Sequence, residues 1–223
     1  MQPSSAIAQS SSTIYVRRRW PKYLLWGLMG CATVVIWIFI EIPLLMLPPE
    51  VAFLRSVPLL ILLHALGGAI ASISGPLQFS SRLRGRWPKF HRLVGRFYVS
   101  AVFVAAPIAI LIAASHRDFD AFSFVITTAI QSAAWAIPTG AAFVAARNRR
   151  FQSHRIWMIR SYAVTFTFVF LRLLRFIPAW NHLGRNRTNV AVVLVTLIAL
   201  AVPEIASFVK SRSATAFRRT ALG

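Results

Sequence analysis

A chain of 223 residues could form one or two domains, but 57% hydrophobic residues and a mean hydropathy of +0.63 exclude an ordinary water-facing surface and point to a bilayer as solvent. The formal charge of +20 comes from 25 Lys and Arg against five acids, Glu41, Glu50, Asp118, Asp120 and Glu204. The basic residues fall in short clusters between apolar runs, the pattern of membrane topology, which excludes nucleic acid as a partner. Cys31 is the single cysteine and has no intrachain partner.

Residues 1–22 read as a disordered, Ser-rich tail that turns basic at Arg17-Arg18-Arg19. No small-residue cleavage site follows, and the next apolar run is longer than a signal-peptide core, so that run is expected to stay as an anchor. Runs of about 20 apolar residues cross a hydrocarbon core. Six are expected, at 23–47, 57–80, 97–115, 121–146, 157–178 and 188–209, all helical because lipid offers unpaired backbone groups no partner. The fold class is therefore an all-α membrane bundle, with spans two to five as a four-helix core flanked by the first and the sixth. Residues 23–210 make the transmembrane domain and 211–223 a basic C-terminal tail. Pro43, Pro107, Pro138 and Pro203 lie inside runs and should kink helices more readily than end them.

In the first span Glu41 lies deep, roughly 27 Å from the run's start at 1.5 Å per residue. The second contains HALGGAIASISGPLQF, in which His64 is followed by Gly67, Ala71 and Gly75 at a spacing of four. Such a stripe either admits a close neighbouring helix or leaves room for a flat ligand beside His64. The third span is entered through His91-Arg92-Leu93-Val94-Gly95-Arg96-Phe97-Tyr98, and the fifth through the similar run His154-Arg155-Ile156-Trp157-Met158-Ile159-Arg160-Ser161-Tyr162. Trp87, Tyr98, Trp157 and Tyr162 fit an interfacial aromatic belt, and the arginines fit topology signals. The fourth span holds Gln131, read as the one other strong hydrogen-bonding side chain near mid-membrane. The fifth ends with Arg172 and Arg175, and the sixth carries Glu204 close to the level of Arg96 and Arg160.

Nineteen basic residues, among them Arg82, Arg84, Lys89, Arg147 and Arg150, fall on one side of these spans and four, Arg55, Arg117, Arg185 and Arg187, on the other. Both termini and both long basic loops are accordingly expected in the cytoplasm, with the chain in the inner membrane. Glu41, His64 and Arg172 then belong to the outer leaflet, where Glu41 and Arg172 form the economical ion pair; Glu204 pairs with Arg160 or Arg96.

Soluble-type catalytic motifs are missing: there is no nucleophile elbow, phosphate loop or HExxH. Histidine remains. His91 and His154 start alternate core helices at one membrane face and could ligate a haem iron axially, with Arg92, Arg96, Arg155 and Arg160 taking propionates. His64 would need a partner on the fourth span, which offers Gln131 and no histidine.

The stretches HALGGAIASISGPLQFSSRLRGRWPKFHRLVGRFYV and SHRIWMIRSYAVTFTFVFLRL resemble the bacterial predicted-membrane-protein family DUF2306 over about residues 57–175. That resemblance implies a six-helix integral membrane protein with His64, His91 and His154 in its signature stretches, and no established activity. More distantly, the arrangement is similar to the cytochrome b561 group, whose core pairs helix 2 with 4 and 3 with 5 around two haems. Only His64, His91 and His154 carry over. Three functions follow as expectations: a b-type haem electron carrier, a proton-linked transporter or channel lined by Glu41, His64 and Arg172, or a non-catalytic assembly protein whose basic loops bind anionic lipid head groups.

Overall fold

The computed structural model describes residues 20–46, 56–115, 121–178 and 187–220, and side chains within narrower bounds. Among them all regular structure is helical: α1 (Trp20–Ile36), a π segment (Trp37–Glu41), α2 (Ile42–Leu45), α3 (Pro58–Gln78), α4 (Ser81–Arg86), α5 (Pro88–Ala114), α6 (Ala121–Arg147), α7 (Phe151–Leu173) with a 3-10 turn (Leu174–Phe176), and α8 (Arg187–Thr220). Four stretches, Pro58–Gln78, Pro88–Ala114, Phe122–Arg147 and Phe151–Leu173, are long and apolar enough to cross a membrane. Gly27–Glu41 and Asn189–Ile205 are shorter apolar stretches where the first and sixth spans were expected.

Local sequence sets the helix starts. Pro58 and Pro88 begin α3 and α5, where a missing N–H is harmless. The Ser80 side chain accepts from the Leu83 N–H at 3.2 Å and caps α4, whose buried Leu83 holds this short helix on the bundle. Pro43, Pro107, Pro138 and Pro203 all sit inside helices, as does Pro76. The α6–α7 connection is three residues long. Arg150 N–H donates to Ala145 O and Arg149 N–H to Ala146 O, the paired bonds of a Schellman stop, with Arg149 in the left-handed region at φ 55°.

α3 packs along α5, α5 on α6 and α6 on α7; α8 lies against α7 and α6, and α1 against α7. The centre is Tyr98, Val102, Ala105, Trp135, Ala142, Met158, Tyr162 and Val164, all buried. The outer faces carry exposed Leu62, Leu66, Ile73, Leu111, Ile130, Ile137 and Ile198, apolar surface that suits lipid tails and would be a liability in water. Two ends can be distinguished. The basic end holds α4 and the starts of α5 and α7; the acidic end holds Glu41 and the close of α7.

The expected aromatic belt needs correction. Trp87 is exposed, but Tyr98 is 0% and Tyr162 6% accessible, because both turn inward onto small residues of neighbouring helices. A Cβ at Gly75 would run into the Tyr162 ring, which also meets Phe79 edge-on at 5.7 Å. At Gly67 a Cβ would stand 2.8 Å from the Ala105 Cβ. The Gly67, Ala71, Gly75 stripe is therefore consumed by helix packing, and the flat-ligand reading has no room there.

Candidate functional site: two polar clusters and a hydroxyl chain

At the acidic end, α1 loosens into the π segment, in which the Ile42 N–H donates to Trp37 O. The extra residue in that turn directs Glu41 toward α7, where Arg172 Nε donates to Glu41 Oε1 at 2.8 Å. The Glu41 side chain is 13% exposed and that of Arg172 37%. His64 lies within electrostatic reach of both. Its Nδ1–H donates to Ala105 O at 3.0 Å, a bond made possible because Gly67, one turn on, lets α3 approach α5. Glu41 and Arg172 thus meet, with His64 within electrostatic reach, whereas the Arg175 side chain lies outside the described residues. His64 and Gln131 are not partners: Gln131 Nε2 donates to Thr167 Oγ1 at 3.1 Å.

Gln131 is not alone at mid-depth, as the sequence suggested; a hydroxyl chain runs through the core. Tyr98 OH meets Ser161 Oγ at 2.7 Å and Thr165 Oγ1 at 2.8 Å, Trp135 Nε1–H donates to Thr165 Oγ1 at 2.8 Å, and Thr139 Oγ1 meets Ser161 Oγ at 2.6 Å. Thr139 also lies 2.7 Å from Trp135 O and Thr165 3.1 Å from Ser161 O. Five N–H and O–H hydrogens serve these six contacts, so one contact always lacks a hydrogen, and hydroxyl rotation can pass that vacancy along the chain. A faint signal existed: Tyr98 and Ser161 each stand ten residues beyond the first residue of α5 and α7, and hence at one depth if the two helices start level.

At the basic end, His91 and His154 are the fourth residues of α5 and α7. His154 Nδ1–H donates to Ala142 O at 2.9 Å, leaving Nε2 as the lone-pair nitrogen. His91 Nδ1 is buried without a hydrogen-bond partner among the described residues, while Gln78 Nε2 donates to the His91 carbonyl at 3.4 Å. Arg84, His154 and Arg92 lie within electrostatic reach of His91. Arg92, Arg96 and Arg155 are exposed on the outside of the bundle. Arg160 is different: its guanidinium lies 4.3 Å from the Trp157 ring and pairs with Glu204, tying α7 to α8. Of the two arginines weighed for Glu204, the structure uses Arg160.

The family model described as Predicted membrane protein (DUF2306) matches residues 61–207. The chain belongs to the DUF2306 family. No curated protein and no solved structure matches it. The DUF2306 match encloses His64, His91 and His154, the hydroxyl chain, Arg172 and Glu204, and it begins after Glu41. Together with the apolar helices it makes this a membrane protein. The acidic-end pair joins one residue inside the match to one before it.

Proposed function

We propose that this DUF2306 protein is a proton-linked transporter or channel of the cytoplasmic membrane, with six spans, its basic end and both termini in the cytoplasm and its acidic end facing out. The observation that carries the reading is the Glu41–Arg172 pair on apolar helices, with His64 within electrostatic reach. Ionisable groups at such depth are expensive and recur along ion pathways. The hydroxyl chain supports it, since rotatable hydroxyls on α5, α6 and α7 occupy the interval between this cluster and the two basic-end histidines. The exposed Arg92, Arg96 and Arg155 suit anionic lipid head groups at the cytoplasmic surface. The test is proton flux into proteoliposomes holding a pH-sensitive dye under an imposed potential. Wild type should acidify the lumen, His64→Ala should not, and Tyr98→Phe should slow it several-fold. Flux in wild type no greater than in empty liposomes sinks the reading.

A second reading keeps haem b between His91 and His154. It is supported by the unpartnered Nδ1 of His91 and by the carbonyl bond that orients the His154 ring, the arrangement that usually steadies an imidazole ligand. Bound haem would supply one-electron chemistry, and the two imidazoles would hold it. Beyond the histidines the interior is already filled by Val94, Met158 and Tyr162, which confines any such group to the basic end. A reduced-minus-oxidised spectrum after expression with haem decides: a Soret band lost in His91→Ala and His154→Ala supports it, and a featureless spectrum rejects it.

A further inference from the structure

Arg172 spends only part of its donor set. Its Nε is engaged by Glu41, and its two Nη groups make no hydrogen bond to any described residue, although the side chain is 37% exposed at the mouth of the acidic end. A guanidinium with a free fork is the recognition element for a planar carboxylate.

We propose that Arg172 is the binding residue for a small organic carboxylate, which enters in exchange for Glu41 and brings one proton with it. This rests on the proton-linked reading above and names its second substrate. The charges facing Glu41 among the described residues are Arg172 from α7 and His64 from α3. One cation balances one carboxylate. When a second carboxylate takes the Arg172 fork, Glu41 loses its counter-ion in a low-dielectric setting and takes a proton on its carboxylate oxygen. Written out, the Glu41 carboxylate bound to Arg172, plus a free carboxylate and H⁺, gives the carboxylic acid of Glu41 and the new carboxylate bound to Arg172. No net charge accumulates, so the two binding events favour each other. The π segment supplies the freedom that the exchange needs, because Glu41 ends a turn whose hydrogen bonds already run to the fifth residue.

The experiment is calorimetry of the full chain in nanodiscs, titrated with sodium acetate at neutral pH in two buffers of different ionisation enthalpy. Wild type should take up close to one proton per acetate. Glu41→Gln, which imitates the protonated acid, should bind acetate at least as well with no proton uptake. Arg172→Gln should weaken acetate about tenfold or more, the loss of a charge-assisted contact. Inorganic phosphate at the same concentration should displace acetate poorly, and equal competition by phosphate rejects a carboxylate site. Acetate binding without proton uptake in wild type, loss of binding in Glu41→Gln, or no binding to wild type overturns the proposal. The proteoliposome flux without acetate is read in parallel: flux that persists while acetate fails leaves the proton pathway standing and removes only its carboxylate partner, and absence of both removes both.

Discussion

Gly75 shows how a single missing side chain shapes the interior. The Tyr162 ring occupies the place of its Cβ, so Gly75→Ala should displace that ring and cost about 1–3 kcal/mol by overpacking. Thermal unfolding in detergent measures the loss, and Tyr162→Val should make Gly75→Ala nearly neutral; additive losses would mean that the two do not share the space. At this scale the sequence was legible by depth and illegible by direction. Counting rise per residue set Glu41, His64 and Arg172 at similar levels; the structure pairs Glu41 with Arg172 and leaves His64 within electrostatic reach. Tyr98 and Tyr162 stood just as plainly near the basic loops, yet depth alone does not say which face of a helix a tyrosine occupies. The partners of Tyr98 are 63 and 67 residues away, beyond any local pattern.

Elements add a second constraint, that of rotation about the helix axis. His91 and His154 occupy the same register, but Arg96 follows by five residues and Arg160 by six; at about 100° per residue that offset turns Arg160 toward α8 and leaves Arg96 outside. The echo between the two entry stretches was visible, but the Glu204 partner follows from α8 packing on α7, which no local pattern shows. The π segment had no local trace either. Deleting Val35 from the regular helix before it, unlike deleting a residue of the π turn itself, should rotate Glu41 by about 100° relative to the preceding helix and remove it from Arg172. The check is a double-mutant cycle on unfolding temperature with Glu41→Gln and Arg172→Gln, where a coupling of about 0.5–3 kcal/mol in wild type should vanish in the deletion. Coupling that survives would show that α1 shifts to keep the pair. The α6–α7 turn is a further case: Arg149 holds a left-handed backbone that glycine adopts without penalty, so Arg149→Gly should stabilise by about 1 kcal/mol. A lower unfolding temperature would show that the arginine side chain is needed there.

For the molecule as a whole, periodicity and run length were enough to place the four central helices, since each is both long and apolar. They did not give the ends. α5 starts at Pro88 and α7 at Phe151, well before the apolar runs, because helices continue through basic sequence that hydropathy assigns to loops. The charge asymmetry predicts that the basic end faces the cytoplasm. A Ser153→Cys variant in a Cys31→Ala background should react with an impermeant maleimide only after the cells are opened, and labelling of intact cells would reverse the topology.

The three-residue stop between α6 and α7 reaches beyond the finished fold to the way it is made. Two apolar helices joined so closely cannot enter a bilayer far apart in time or place, and they must cross as a hairpin. The bond from His154 to Ala142 spans only 12 residues, so it is available as soon as that hairpin closes. Tyr98 must wait for α5 to dock against both. The Thr139–Ser161 and Trp135–Thr165 contacts can close within the hairpin itself, and only the two contacts to Tyr98 complete the hydroxyl chain late in assembly.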